Sequence, residues 1–151
     1  ELARSACRWA EGVVFVNGHG GNLDAITGAV AQLRGEGRGV AWTSCRARGS
    51  DAHAGRTETS ILLALDPGSV DTRRLVPGCT EPISSLLPRL RREGVRAVAP
   101  NGVLGDPTSS TVDAGRRLHV EMVQRLVAEL TEIDVGDRGR LRAVARPQVQ
   151  A

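Results

Sequence analysis

Apolar positions along the first half of the chain switch between two periods. Val13-Val14-Phe15-Val16 is a continuous run of β-branched and aromatic residues, the signature of a strand buried on both faces. Ala25, Ile26, Ala29, Val30 and Leu33 then recur at helical spacing, and the glycine-rich stretch 35–39 stops that helix. Val40-Ala41-Trp42 predicts a second strand, and Ile61, Leu62 and Leu65 a short helix that ends before Pro67. Residues 66–82 carry three prolines and read as an irregular connection. Leu86, Leu87 and Leu90 mark another helix in which Pro88 is an awkward resident, able to kink it or shift its start. Residues 95–99 are expected to form a third strand. A long helix follows, with Leu118, Met122, Val123, Leu126, Val127 and Leu130 on one face. The opening residues read as the end of a helix capped by Gly12.

Strands and helices in alternation imply an α/β fold, a parallel sheet covered by helices on both sides. The domain is expected to span residues 1–133. Residues 134–151 are polar and Arg-rich without periodicity, and are expected to be a disordered tail. In parallel sheets, ligands bind beyond the carboxyl ends of the strands. The unusual polar residues of this chain follow the three expected strands: His19 the first, residues 51–58 the second, residues 101–106 the third.

Composition narrows the function classes. The formal charge is +3, and almost all the basic residues are Arg, scattered except in the last fifteen positions. Aromatics make up 2% of the chain and Tyr is absent, so the stacking surfaces of a nucleic-acid binder are missing. No stretch approaches the roughly 18 apolar residues of a membrane span, and the first residues lack the basic start and apolar core of a signal peptide. The three cysteines, Cys7, Cys45 and Cys79, are widely spaced, which fits neither a disulfide framework nor a CxxC metal site but does fit a reducing cytoplasm. They read as small buried hydrophobes. The only Met is Met122, and the chain reads as beginning mid-domain.

Three loops carry candidate chemistry. In Asn17-Gly18-His19-Gly20-Gly21-Asn22, glycines allow a sharp turn and present His19 for metal binding or proton transfer. The pattern meets neither phosphate-loop fingerprint, although a phosphate- or nucleotide-binding α/β domain is the rival reading of a loop before a helix. In the run 51–60, DAHAGRTETS, His53 and Glu58 stand close enough to share a pocket. Glu58 in a first helical turn is commonly a capping partner, but Gly55 occupies the place where a capping box wants Ser or Thr. Asp51 is placed either to orient His53 or to sit solvated on the loop. In Asn101-Gly102-Val103-Leu104-Gly105-Asp106-Pro107, Gly105 suggests close backbone approach and Asp106 a positioning or turn-forming role. His119 lies off the apolar face of its helix and is expected to be exposed. A catalytic zinc-type site needs about three protein ligands and an open position; His19, His53 and Glu58 barely supply one.

Taken together, VNGHGGN, DAHAGRTETS and NGVLGDP resemble the creatininase (creatinine amidohydrolase) family over roughly residues 1–130. Within it, DAHAGRTETS with GVRAVAPNGVLGDP is most similar to the mycofactocin-system branch, peptidases that release a C-terminal dipeptide from a modified precursor peptide. The resemblance implies a three-layer α/β/α fold with a mainly parallel sheet and a homo-oligomer, often a hexamer. It also implies hydrolysis of a peptide or small amide by water activated on divalent metal (zinc, iron or manganese, two ions per complete site). By position it makes His19 a metal ligand and His53 the proton-moving residue at the scissile amide, with Glu58 as a further metal ligand. Gly20, Gly21, Asn22, Asp51, Gly105 and Asp106 would position the substrate.

Two departures from the family pattern matter. Creatininase proper has a metal-binding Glu two residues after the GH-motif His, where this chain has Gly21; that disfavours creatinine as the substrate. The family's ExHGxHLP-type stretch and the Asp that follows it are absent. The chain alone is therefore expected to bind metal poorly and turn over little, with a further segment belonging upstream. Two other functions remain open, the hydrolysis of another small amide and a non-catalytic assembly role on the same fold.

Overall fold

The computed structural model describes residues 1–47 and 49–142. The chain divides into two compact units, Glu1–Arg46 with Met122–Ala151, and Ala47–Glu121.

The first unit is built on a β–α–β motif. Strand β1 (Val13–Asn17) pairs in parallel with β2 (Val40–Ser44), in a register running from Val13↔Val40 to Asn17↔Ser44. Helix α2 (Leu23–Gly35) joins them. Val30 and Leu33 of α2 pack with Ala3, Val40 and Trp42, and Cys7, Val13, Phe15 and Ile26 border this core. The helix stops where the sequence places its glycines, with Gly37 at a positive φ of 78°.

Burial on both faces holds for β2 but not for β1, whose Val16 is 49% exposed. The reason is pairing: among the described residues β1 has a partner strand on one side only. Gly12 is not a helix cap either. Helix α1 (Leu2–Ala6) ends well before it, with the Cys7 amide bonded back to the Ala3 carbonyl at 2.9 Å. Gly12 and Gly39 instead let the beginnings of β1 and β2 approach closely, since a Cβ on Gly39 would stand 2.7 Å from the Glu11 carbonyl oxygen.

Residues 134–142, expected to be part of a loose tail, fold into a small antiparallel hairpin. Strands β3 (Asp134–Val135) and β4 (Leu141–Arg142) pair Val135 with Leu141. Leu141 is 2% exposed, the Trp42 indole N–H donates to the Arg138 carbonyl at 3.0 Å, and the Arg140 guanidinium lies 5.5 Å over the Trp42 ring. One buried leucine, its half-buried partner Val135 and one covered indole hold a segment whose other side chains are charged. The remainder of the expected tail, 143–151, lies outside the described residues.

The second unit contains α3 (Arg56–Leu65), α4 (Ile83–Glu93), the single turn α5 (Val95–Val98) and the start of α6 (Val112–Thr131). Its core gathers Leu86, Ala99 and Leu104, with Ala52, Cys79, Ile83, Leu90 and Val98 packed against them. Helix α4 continues through Pro88 to Glu93. The expected third strand is α5 instead. Four apolar positions in five residues, Val95, Ala97, Val98 and Ala99, fit either period, and Val95 and Val98 stand one helical turn apart. The backbone finds its partners locally: the Ala99 amide bonds the Val95 carbonyl at 2.8 Å, and Arg89 Nη2 bonds the Ala97 carbonyl at 2.7 Å.

Helix α6 forms as its periodicity predicts, but its apolar face is split. Leu118, Met122 and Leu126 are half-buried, whereas Val123, Val127 and Leu130 are exposed, as is Val120. His119 is half-buried rather than exposed. The three cysteines are free and half-buried. Among the described residues no helix is long and apolar enough to cross a membrane.

Candidate active site

In the first unit the site begins where β1 ends. Asn17 is 6% exposed, and its side chain closes the following turn from inside. Its amide nitrogen donates to the His19 carbonyl at 2.9 Å, and its Oδ1 accepts the His19 N–H at 3.2 Å and the Asn22 side-chain N–H at 3.4 Å. The Asn22 backbone amide also donates to the His19 carbonyl, at 3.1 Å. The His19 backbone is thus held on both sides while its imidazole stays exposed. The ring leans over Gly21, where a Cβ would meet Nε2 at 2.6 Å; nothing stands within 4 Å of the Cβ position at Gly20. Asn17 was not among the residues the sequence singled out. The available signal was an Asn closing a β-branched run two positions before a His, since Asn readily bonds the backbone two residues on.

The second unit places His53 and Glu58 together. His53 Nδ1 lies 3.2 Å from Glu58 Oε2, with both side chains more than half exposed. Between them the chain makes a tight turn in which Ala54 takes a φ of 51°, a left-handed conformation costly for a residue with a Cβ. Glu58 Oε2 accepts the Ala54 N–H at 2.7 Å, one residue further back than a capping box reaches. One carboxylate oxygen therefore serves both the strained turn and the imidazole. The His53 backbone is fixed from the other side by a bridge to Leu104, whose amide donates to the His53 carbonyl at 2.9 Å.

Asp51 has a different partner from the one proposed for it. It does not orient His53; its Oδ1 accepts the Thr57 N–H at 3.1 Å, supplying the helix cap that Gly55 lacks. Its Oδ2 fills the space between Gly55 and Gly105, where added Cβ atoms would stand 1.9 and 2.8 Å from it. Asp106 is a turn former. Its Oδ1 accepts the Thr108 hydroxyl at 2.7 Å and the Thr108 amide at 2.9 Å, and these bonds hold the carboxyl below the usual carboxylate range. An open cleft of about 390 Å³ lies beside this framework, with Ala52, Cys79, Ile83 and Leu104 among its apolar lining and Asp51, Glu81 and Asp106 as carboxylates.

His19 stands in the first unit and the His53–Glu58 pair in the second. A catalytic metal needs about three protein ligands. Among the described residues no three His, Cys, Asp or Glu side chains come together to hold one. The donor set of this chain does not by itself fit such a group.

The family model described as creatinine amidohydrolase matches residues 1–130. The mycofactocin precursor peptide peptidase of Mycobacterium ulcerans is 53% identical over 141 residues, covering 93% of this chain and 56% of that protein. Proteins of the same name from Mycolicibacterium smegmatis and Mycobacterium tuberculosis are 52% and 53% identical, covering 82% and 84% of this chain and 50% and 51% of their own lengths. The crystal structure of a putative creatinine amidohydrolase from Bacteroides fragilis superimposes with a TM-score of 0.67 at 21% identity, covering 90% of this chain and 60% of that one. The chain thus spans about half the length of the curated relatives it matches, and its fold is the α/β fold of that structure. On the family match and the relatives at this level of identity, the chain belongs to the creatininase family.

Proposed function

We propose that this protein acts as a metal-dependent amide hydrolase, and within that class as the peptidase that removes a C-terminal dipeptide from the modified mycofactocin precursor peptide. The family is one of metal-dependent amidohydrolases, and the substrate assignment is supported by relatives of that name at 52–53% identity. The observation that carries the reading is the pairing of His53 with Glu58 across the strained turn at Ala54. With Nδ1 facing a carboxylate, the imidazole is oriented with Nε2 turned away, suited to hand a proton to the leaving nitrogen of an amide.

A divalent ion (zinc, iron or manganese), two in a complete centre, would supply the activated water. From this chain we assign His19 to that centre, and Glu58 through the oxygen it does not spend on His53 and Ala54. Gly20 leaves open space beside His19 for a substrate backbone, Gly21 and Asn22 shape that turn, and Asp51, Gly105 and Asp106 hold the framework around His53. The isolated chain is expected to be inactive.

A chimera tests this. Residues 1–142 replace the matching half of the Mycobacterium ulcerans relative, and hydrolysis is assayed on the precursor peptide and on small amides with added metal. Turnover abolished by chelation is expected. His53→Ala should lower kcat by about 10²–10⁴-fold with metal content retained. Full activity in His53→Ala, or indifference to chelators, would sink the proposal.

A second reading, a non-catalytic assembly subunit, is favoured by one feature, the exposed stripe of Val120, Val123, Val127 and Leu130 on α6. The same stripe suits a homo-oligomer of the active enzyme, a hexamer in many family members. Metal analysis of the chimera separates the two, because the assembly reading expects none bound.

A further inference from the structure

Two charged groups of the first unit take no part in the site described above. Glu129, on the second half of α6, is 6% exposed, and its carboxylate accepts the hydroxyl of Thr43, itself buried on β2. One turn earlier, Arg125 sends Nη2 to the carbonyl of Ser44, the last residue of β2. The Arg125 Nε lies 3.9 Å from Glu129 Oε1, and among the described residues it is buried without a hydrogen bond. Withdrawing such a pair from water is costly, and an apolar pair of similar volume would join helix to strand as well or better. What an apolar pair would not do is hold the Ser44 carbonyl in a fixed direction.

That carbonyl stands at one end of a continuous series of bonds. Ser44 is in register with Asn17 across the parallel pair, and the next amide, Cys45 N–H, donates to the Asn17 carbonyl at 2.8 Å. The Asn17 side chain then grips His19 through its amide nitrogen at 2.9 Å and its Oδ1 at 3.2 Å. Helix α6 is therefore linked to the His19 turn through two strand ends, each link a hydrogen bond or a strand register.

We infer that Arg125 and Glu129 are positioning residues for His19, acting through Ser44 and Asn17. Their importance rests on the role proposed for His19, but the arrangement itself does not. Fixing the end of β2 fixes the end of β1 beside it, and Asn17 transmits that position to the turn. Because the pair lies on a helix distant in sequence, it is a set of contacts through which α6 and the His19 turn affect each other.

The test uses the whole 151-residue chain, labelled with ¹⁵N, as wild type, Arg125→Met, Arg125→Lys and Glu129→Gln. Amide hydrogen exchange and backbone chemical shifts are read for residues 13–22 and 40–45. In Arg125→Met, exchange at the Cys45 amide is expected to speed up by at least about tenfold, with amides at the centres of β1 and β2 still protected. The signals of residues 18–22 should move. Arg125→Lys, which can still reach one carbonyl, should recover part of both effects, and Glu129→Gln should fall between. Unmoved signals at 18–22 in folded Arg125→Met would overturn the inference. So would an equal loss of protection along both strands, which marks a contribution to core stability only. If Arg125→Met does not fold, the Lys and Gln variants decide by the same two criteria. The readout is geometry rather than turnover, so failure here leaves the hydrolase reading intact, and lack of hydrolysis leaves this one intact.

Discussion

At the scale of single residues, the turn 51–58 shows how little chain is needed to bring an imidazole and a carboxylate together. Asp51 caps α3 and fills the gap between Gly55 and Gly105, Ala54 takes the strained conformation, and Glu58 reaches back to both Ala54 and His53. Each part has its own expected effect. Asp51→Ala removes a cap and should cost about 0.5–2 kcal/mol in urea denaturation, whereas a freely solvated Asp51 would cost nothing measurable. Ala54→Gly relieves the left-handed backbone and should leave stability unchanged or raise it by up to about 1 kcal/mol; Ala54→Val should lower it. Residue type and spacing suggested that His53 and Glu58 stand close together, as they do, but not what holds them there. Whether Asp51 serves the imidazole or the helix depends on where a loop folds back, and DAHAGRTETS is compatible with both. Asn17 escaped notice for a similar reason: its contribution is a buried hydrogen-bond set, visible only once β1 is known to end there.

At the scale of elements, the two-period pattern located β1, α2, β2, α3, α4 and α6, although in α3 the Leu62 and Leu65 that mark the helix are exposed and Thr57, Thr59, Ser60 and Leu63 are buried. It failed where an element is short or held from a distance. The run 95–99 offered four apolar residues and no periodicity to separate strand from helix. The hairpin at 134–142 rests on Leu141 and on Trp42, about a hundred residues away, which no local pattern records. Leu141→Ala should therefore cost about 2–5 kcal/mol, the price of an emptied core position; a value near zero would show the hairpin to be an appendage. The link between α1 and the end of α2 carries a pH signature. Arg4 and Arg38 hold Glu36 down to about 2 from an ordinary 4.5. A depressed carboxyl stabilises the fold above its unfolded value and loses that contribution as pH falls through its folded value. Stability should decline between about pH 4.5 and about pH 2, and Arg4→Ala should flatten that slope. An unchanged acid profile in Arg4→Ala would discount the pair.

At the scale of the whole molecule, one unit is assembled from the two ends of the sequence and the other from its middle. The family resemblance covered this organisation without describing it: motifs announce chemistry, and the division follows from which distant segments share a core. His19 belongs to one unit and the His53–Glu58 pair to the other, and the chain matches only about half of its relatives' length. The covered indole at Trp42 has a practical corollary. The chain has two tryptophans and no tyrosine; Trp9 is 82% exposed and Trp42 only 7%. With Trp9 replaced by Phe, intrinsic fluorescence would come from a single fluorophore sealed beneath the hairpin, its emission shifting to the red when that cover lifts. The protein thus carries its own optical probe, reporting whether the hairpin at 134–142 is seated.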